Sequence, residues 1–189
     1  MTIAKKRPWV LMAAGAFLAL PLLAQRQDSA QVSALLHRAS ADATQLATEA
    51  ETLTSYSRSK VSWESHSQQL STIKDQTNQL GKTLAELQDA KAKALPWQQQ
   101  AIDQITPLAQ ELAADLEATI QHLNANRAHI AFARYRDYVR VSADHAQQLS
   151  DLVKDYVAYD RSKTEYERLS KRLEVPASGA AEPAGPGQR

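Results

Sequence analysis

The chain reads as an all-α protein: an antiparallel up-down-up-down four-helix bundle with coiled-coil-like heptad packing. Three observations predict this. Residues 28 to 174 contain one glycine, Gly81, and two prolines, Pro96 and Pro107, and they are rich in Ala, Leu, Gln, Glu and Lys, which favour helix. Apolar residues recur there at alternating spacings of three and four, the 3.5-residue period of helices packed side by side. The breaks in the pattern are short, and short connections join antiparallel neighbours.

The first helix is expected over 29–57, with Val32, Leu36, Ala39, Ala43, Leu46, Ala50 and Leu53 on its inner stripe. It ends in Ser55 to Ser67, where six of thirteen residues are serine and compete with the helical backbone for hydrogen bonds. The second, 63–94, has Ser62 as N-cap and Glu64 in the first turn. Its stripe is Leu70, Ile73, Thr77, Leu80, Leu84 and Leu87. Leu95-Pro96 is the next break: the residue before proline is pushed out of the helical region, and Pro96 suits the first helical position. The third helix, 97–123, carries Ile102, Ile105, Ala109, Leu112 and Leu116, with Ile120 and Leu123 shifting the pattern by one. Pro107 inside it should release the carbonyl of Asp103 and kink the helix; alternatively Thr106-Pro107 starts a new helix. Asn124 and Asn126 mark the third break.

The last helix, 127–173, is the longest. Its stripe reads Tyr135, Tyr138, Ser142, His145, Leu149, Leu152, Tyr156, Tyr159, Lys163 and Tyr166. At about 1.5 Å per residue it spans about 70 Å, against about 40–48 Å for the others. Residues beyond about 157 should therefore overhang the start of the first helix.

The two ends differ from this middle. Residues 1–24 read as a signal peptide: Lys5, Lys6 and Arg7 precede an uncharged, almost wholly apolar run from Trp9 to Ala24. Ala24 is the small residue before a cleavage point at Gln25, although Leu22 is larger than the preferred −3 residue. The alternative is an uncleaved signal anchor, for which the run is marginally short. Either way the positive flank sends residues 25–174, the bundle domain, out of the cytoplasm. The tail, 175–189, reads VPASGAAEPAGPGQR and is too poor in sizeable apolar residues to offset its ordering entropy, so it is expected to be disordered.

Composition excludes several functions. The chain has no cysteine, which removes disulfides, thiolate metal sites and cysteine nucleophiles. The formal charge is +1, and without the three basic residues of the leader 19 basic face 21 acidic residues. No bulk field favours nucleic acid, and Arg134, Arg136 and Arg140 spread around the last helix instead of forming a strip. All glycines but Gly15 and Gly81 lie in the tail, and there is no Gly-x-Ser-x-Gly elbow, so no enzyme is expected. The residues three before His37, His66, His122, His129 and His145 are Ala34, Trp63, Thr119, Asn126 and Ser142, so the Glu-x-x-His pattern of di-iron bundles is absent. No metal and no cofactor is expected. Should a ligand exist, a haem held by His66 and His145 is the form to consider.

Five of six tyrosines sit on the last helix: Tyr135, Tyr138, Tyr156, Tyr159 and Tyr166. A tyrosine offers a large apolar ring with a hydroxyl that needs a partner. These five form either the bundle core or a contact surface. The function expected is that of an exported, non-enzymatic bundle acting by protein–protein contact, as an adaptor, scaffold or chaperone-like holder in the periplasm or outside the cell. The alternatives are a ligand- or haem-binding bundle and a membrane-anchored coiled-coil spacer. The sequence does not name the protein partner. It is compatible with a homodimer, and involves the membrane only if residues 1–24 are retained.

Overall fold

The computed structural model describes residues 20–127 and 133–173, with side chains from Ser29 onward. Most of the expected leader, His129 and the tail lie outside these residues. Four helices pack against one another, and the described residues hold no strand. They are α1 (Leu20–Ser57), α2 (Trp63–Ala90), α3 (Pro96–Ala125) and α4 (Ala133–Arg172), with a 3₁₀ turn at Lys91–Lys93. α1 packs on α2 and α4, and α3 packs on the same two helices.

All seven expected stripe residues of α1, from Val32 to Leu53, are buried. Each leucine so enclosed contributes about 1.5–3 kcal/mol relative to exposure. α1 starts at Leu20, earlier than the expected residue 29, and runs without a break through Ala24-Gln25.

α2 starts where Ser62 caps it. The Ser62 backbone is extended and its hydroxyl accepts a bond from the Ser65 amide at 3.4 Å. Leu70, Ile73, Leu80, Leu84 and Leu87 are buried, and Thr77 is half-buried. The helix stops at Ala90 instead of 94. Ala94 and Leu95 are both extended ahead of Pro96, so the preceding residues tighten into the 3₁₀ turn.

α3 is continuous, so Thr106-Pro107 does not start a new helix; the Thr106 hydroxyl bonds back to the Ile102 carbonyl at 2.8 Å. The expected shift at Ile120 is also corrected. Thr119 is fully buried and keeps the period, while Ile120 sits half-buried beside it. A threonine fits there because its hydroxyl meets the Asp115 carbonyl at 2.8 Å and the Ser142 hydroxyl at 3.0 Å.

On α4 the inner stripe is Tyr135, Val139, Ser142, Ala146, Leu149, Val153 and Val157. Tyr138, His145, Leu152 and Tyr156, expected inside, are half-buried along the neighbouring line, and Tyr159 and Tyr166 are exposed. Most of the inner stripe is valine, alanine and leucine, whereas Tyr138, His145 and Tyr156 sit where their polar tips reach water or a facing side chain. Polar contacts stitch the helices: Gln69 to Glu49 at 2.7 Å, Thr83 to Asp42 at 3.0 Å and Thr44 to Ser150 at 3.4 Å. Among the described residues no helix is long and apolar enough to cross a membrane.

Candidate functional site

Positions seven apart on α4 meet successive residues of α3. The Tyr138 ring lies 4.9 Å from that of His122. One heptad on, His145 Nδ1 is 2.5 Å from an Asp115 carboxylate oxygen. Leu152 and Leu108 both pack half-buried against the core. The Tyr156 hydroxyl donates to Gln104 at 2.9 Å, and the Tyr159 ring stands edge-on to Trp97 at 5.3 Å. As the residue number rises on α4 it falls on α3, until α3 begins at Pro96. The heptad line does not stop there. Tyr166 and Leu173 continue it, 59% and 62% exposed, after Tyr159 at 51%. With Val141 these are the only large apolar side chains exposed among the described residues.

The five tyrosines named from the sequence therefore do not form one surface. Tyr135 is 1% exposed, and its hydroxyl lies 2.9 Å from Nδ1 of His66, itself 1% exposed. Tyr56 approaches the His66 ring edge-on, and His122 stacks on Tyr135. Arg127 covers Trp63 at 4.5 Å from the ring centre. Burial lowers the His66 pKa below its ordinary value and raises that of the Tyr135 phenol. This enclosed cluster belongs to the core at the end of the molecule where α1 turns into α2. Tyr138 and Tyr156 are half-buried against α3, and only Tyr159 and Tyr166 are open.

His66 and His145, the pair considered for a haem, each have another partner. His66 is committed to Tyr135 on the buried side of α4, and His145 to Asp115 on the side facing α3. Among the described residues no group of three His, Asp or Glu side chains converges to hold a metal ion.

One residue of this region escaped the sequence reading. Gln98 stands in a run of three glutamines, yet it is 0% exposed. Its carbonyl oxygen accepts from the Leu95 amide at 2.9 Å, and its amide donates to the Ser29 carbonyl and the Ser33 hydroxyl at 3.0 and 3.1 Å. Gln98 thereby ties the start of α3 to α1, just below the open stripe. The only local signal was its position three residues after the N-cap Leu95, where Gln reaches back to the cap amide. No protein family matches the chain, no curated protein is similar to it, and no solved structure matches it.

Proposed function

We propose that this chain is an exported, non-enzymatic helical bundle that works by protein–protein contact, as an adaptor, scaffold or chaperone-like holder of the cell envelope. The observation behind this reading is the open stripe Tyr159, Tyr166 and Leu173. It extends a line of α4 on which Tyr138, His145 and Tyr159 each meet a residue of α3, and it continues past the level at which α3 begins. Three large apolar side chains exposed in a line at every second turn are candidates for contact with a partner.

The architecture proposed is the up-down-up-down antiparallel bundle with heptad seams. It is supported by contacts whose numbers rise on one helix as they fall on the next: Asp42 with Thr83 and Glu49 with Gln69, then Gln104 with Tyr156 and Asp115 with His145. The kink proposed at Pro107 rests on its missing amide, which leaves the Asp103 carbonyl without a helical partner. The non-enzymatic reading is supported by the His145–Asp115 pair itself. Ser142, one turn before His145, is 4% exposed, and its hydroxyl is engaged by Thr119 and the Tyr138 carbonyl. That hydroxyl is therefore not free to act as a nucleophile beside His145.

The test is a photo-crosslinking amino acid at Tyr166 in the native host, with Lys82 on the far face of α2 as control. A discrete adduct at Tyr166 that Lys82 does not give is expected; equal or absent adducts would sink the proposal. An adduct of twice the chain mass would identify the partner as a second copy.

A second reading is the membrane-anchored bundle. It is favoured by α1 running unbroken from Leu20 through Ala24-Gln25, so that residues 20–24 of the apolar run belong to the same helix as the bundle residues.

A further inference from the structure

Beyond Tyr159 the last helix has no counterpart on α3, which begins at Pro96 and meets Tyr159 through Trp97 in its first turn. The remainder of α4, with Leu173 after it, carries a seam of its own. Tyr159, Ser162, Tyr166, Leu169 and Leu173 follow one another at spacings of three and four, the repeat that lets one helix lie along another. Leu169 is half-buried and the other four are exposed. Charge beside the seam is divided at the midpoint between Ser162 and Leu173. Glu165 and Glu167 stand just before it, and Arg168, Lys171 and Arg172 stand after it, all five exposed.

This stretch is complementary to itself when one copy is turned round. A two-fold axis passing between Glu167 and Arg168 sets Ser162 opposite Leu173 of a second copy and Tyr166 opposite its Leu169. A small side chain then faces a large one, and a ring faces a branched chain. Glu165 comes beside Arg172 of the second copy, and Arg172 beside its Glu165. A copy laid in the same direction sets acids level with acids and bases level with bases. Glu165 already takes two bonds of 2.7 Å from Arg168, and a carboxylate has further lone pairs for a second guanidinium. In this register Leu173 of the second copy stops nearly one turn short of the level of Tyr159, so it does not displace Trp97.

We propose that the partner of the open stripe is a second copy of this chain, joined through the last turns of α4 in an antiparallel two-fold pair. The inference rests on the reading of the stripe as a protein-contact surface and names its occupant. An isologous contact needs no other protein, because one patch supplies both halves. Two symmetric charge pairs, Glu165 with Arg172 in each direction, set the orientation, and the rings and leucines fill the seam between them. The contact is short, about 17 Å from Ser162 to Leu173, so the pair comes apart on dilution. Two bundles joined in this way stand end to end, with the Tyr135–His66 cluster of each at the far end.

The chain has no cysteine, so an introduced thiol reports a single contact. Full-length Ser162→Cys and Leu173→Cys copies, with tags of different size, are produced together at low level in the native host. An oxidant is added, and non-reducing electrophoresis reads the disulfide. Both positions are exposed, so folding does not depend on them. A product joining one copy of each kind is expected, and neither variant alone should couple to itself. Glu165→Arg or Arg172→Glu in both copies turns two attractions into two repulsions and should lower the yield about tenfold. The two reversals together should restore it. Absence of the mixed product, or each variant coupling to itself, overturns the antiparallel pair. A yield that ignores the charge reversals overturns it as well. The photo-crosslinker at Tyr166 tells the two failures apart. An adduct with a different protein overturns the second copy and leaves the contact reading standing, and no adduct overturns both.

Discussion

The two ends of the bundle use the same residue types to opposite effect. Where α1 turns into α2, Tyr135, His66, His122 and Tyr56 enclose one another, and Tyr135 and His66 are each 1% exposed. At the other end Tyr159 and Tyr166 stand more than half exposed. Tyr135 lies on the inner stripe of α4, and Tyr159 and Tyr166 lie on the neighbouring line. The company differs too: at the closed end all four helices supply a ring, and at the open end α3 starts at Pro96, level with Tyr159, and supplies nothing beyond it. An aromatic residue is core or contact surface according to whether another helix passes its level.

This contrast is broken most severely at Tyr135. Tyr135→Ala removes a fully buried ring and leaves His66 without its partner, so a loss of about 3–5 kcal/mol is expected in urea unfolding. Tyr166→Ala, the same change at the open end, should stay within about 0.5 kcal/mol. If the two values coincide, the distinction between the ends fails.

Gln98→Ala comes next. It strands the Leu95 amide and removes the bonds to the Ser29 carbonyl and the Ser33 hydroxyl, and about 1–3 kcal/mol should be lost. Gln98→Glu should lose as much, because a carboxylate cannot donate to the Ser29 carbonyl. Recovery in Gln98→Glu would mean that only the bond to Leu95 matters.

The closed end should also be sensitive to acid. Burial depresses the folded pKa of His66 from 6.5, so near pH 6 the unfolded chain binds the proton more readily than the folded one. Stability then rises with pH. The contribution of His66 is complete above about pH 6.5, is lost progressively as pH falls below that value, and levels off below the folded pKa. The urea midpoint of the native chain should fall between pH 7.5 and pH 5 by more than that of His66→Asn. Equal slopes would place the acid sensitivity elsewhere.

A small gain is expected between the ends. A Cβ added at Gly81 would meet nothing within 4 Å, so Gly81→Ala should stabilise α2 by about 0.5–1 kcal/mol. A destabilised variant would reveal something seated on the groove that Gly81 lines with Leu84, Ala109 and Ala113.

The sequence was legible where local rules suffice. The α1 stripe was read without error because Val32 to Leu53 offers one consistent line of apolar residues. Ser62 and Leu95-Pro96 marked two turns through capping and proline chemistry that needs no distant partner. On α4 two lines compete, one through Tyr138, His145 and Leu152 and one through Val139, Ala146 and Val153. Side-chain size favours the first, and only the width of the space between α1 and α3 decides for the second. The site was less legible still. Gln98 and Thr119 look solvated until Ser29, Ser33 and Ser142 are brought beside them. His66 looks like a ligand candidate until Tyr135, 69 residues away, takes its nitrogen. The open stripe depends on where α3 starts relative to α4, which is a matter of level in space and not of spacing along the chain.

The place of α1 between α2 and α4 has a consequence for how the chain is made. Thr44 meets Ser150, 106 residues later, and at about 5–20 residues per second that interval lasts about 5–20 s. During it the stripe from Val32 to Leu53 has only α2 and α3 to cover it. A nascent chain halted before α4 is complete would leave one flank of its first helix open to any apolar surface nearby. Delivery of the C-terminal helix is therefore the step that ends the chain's exposure to aggregation.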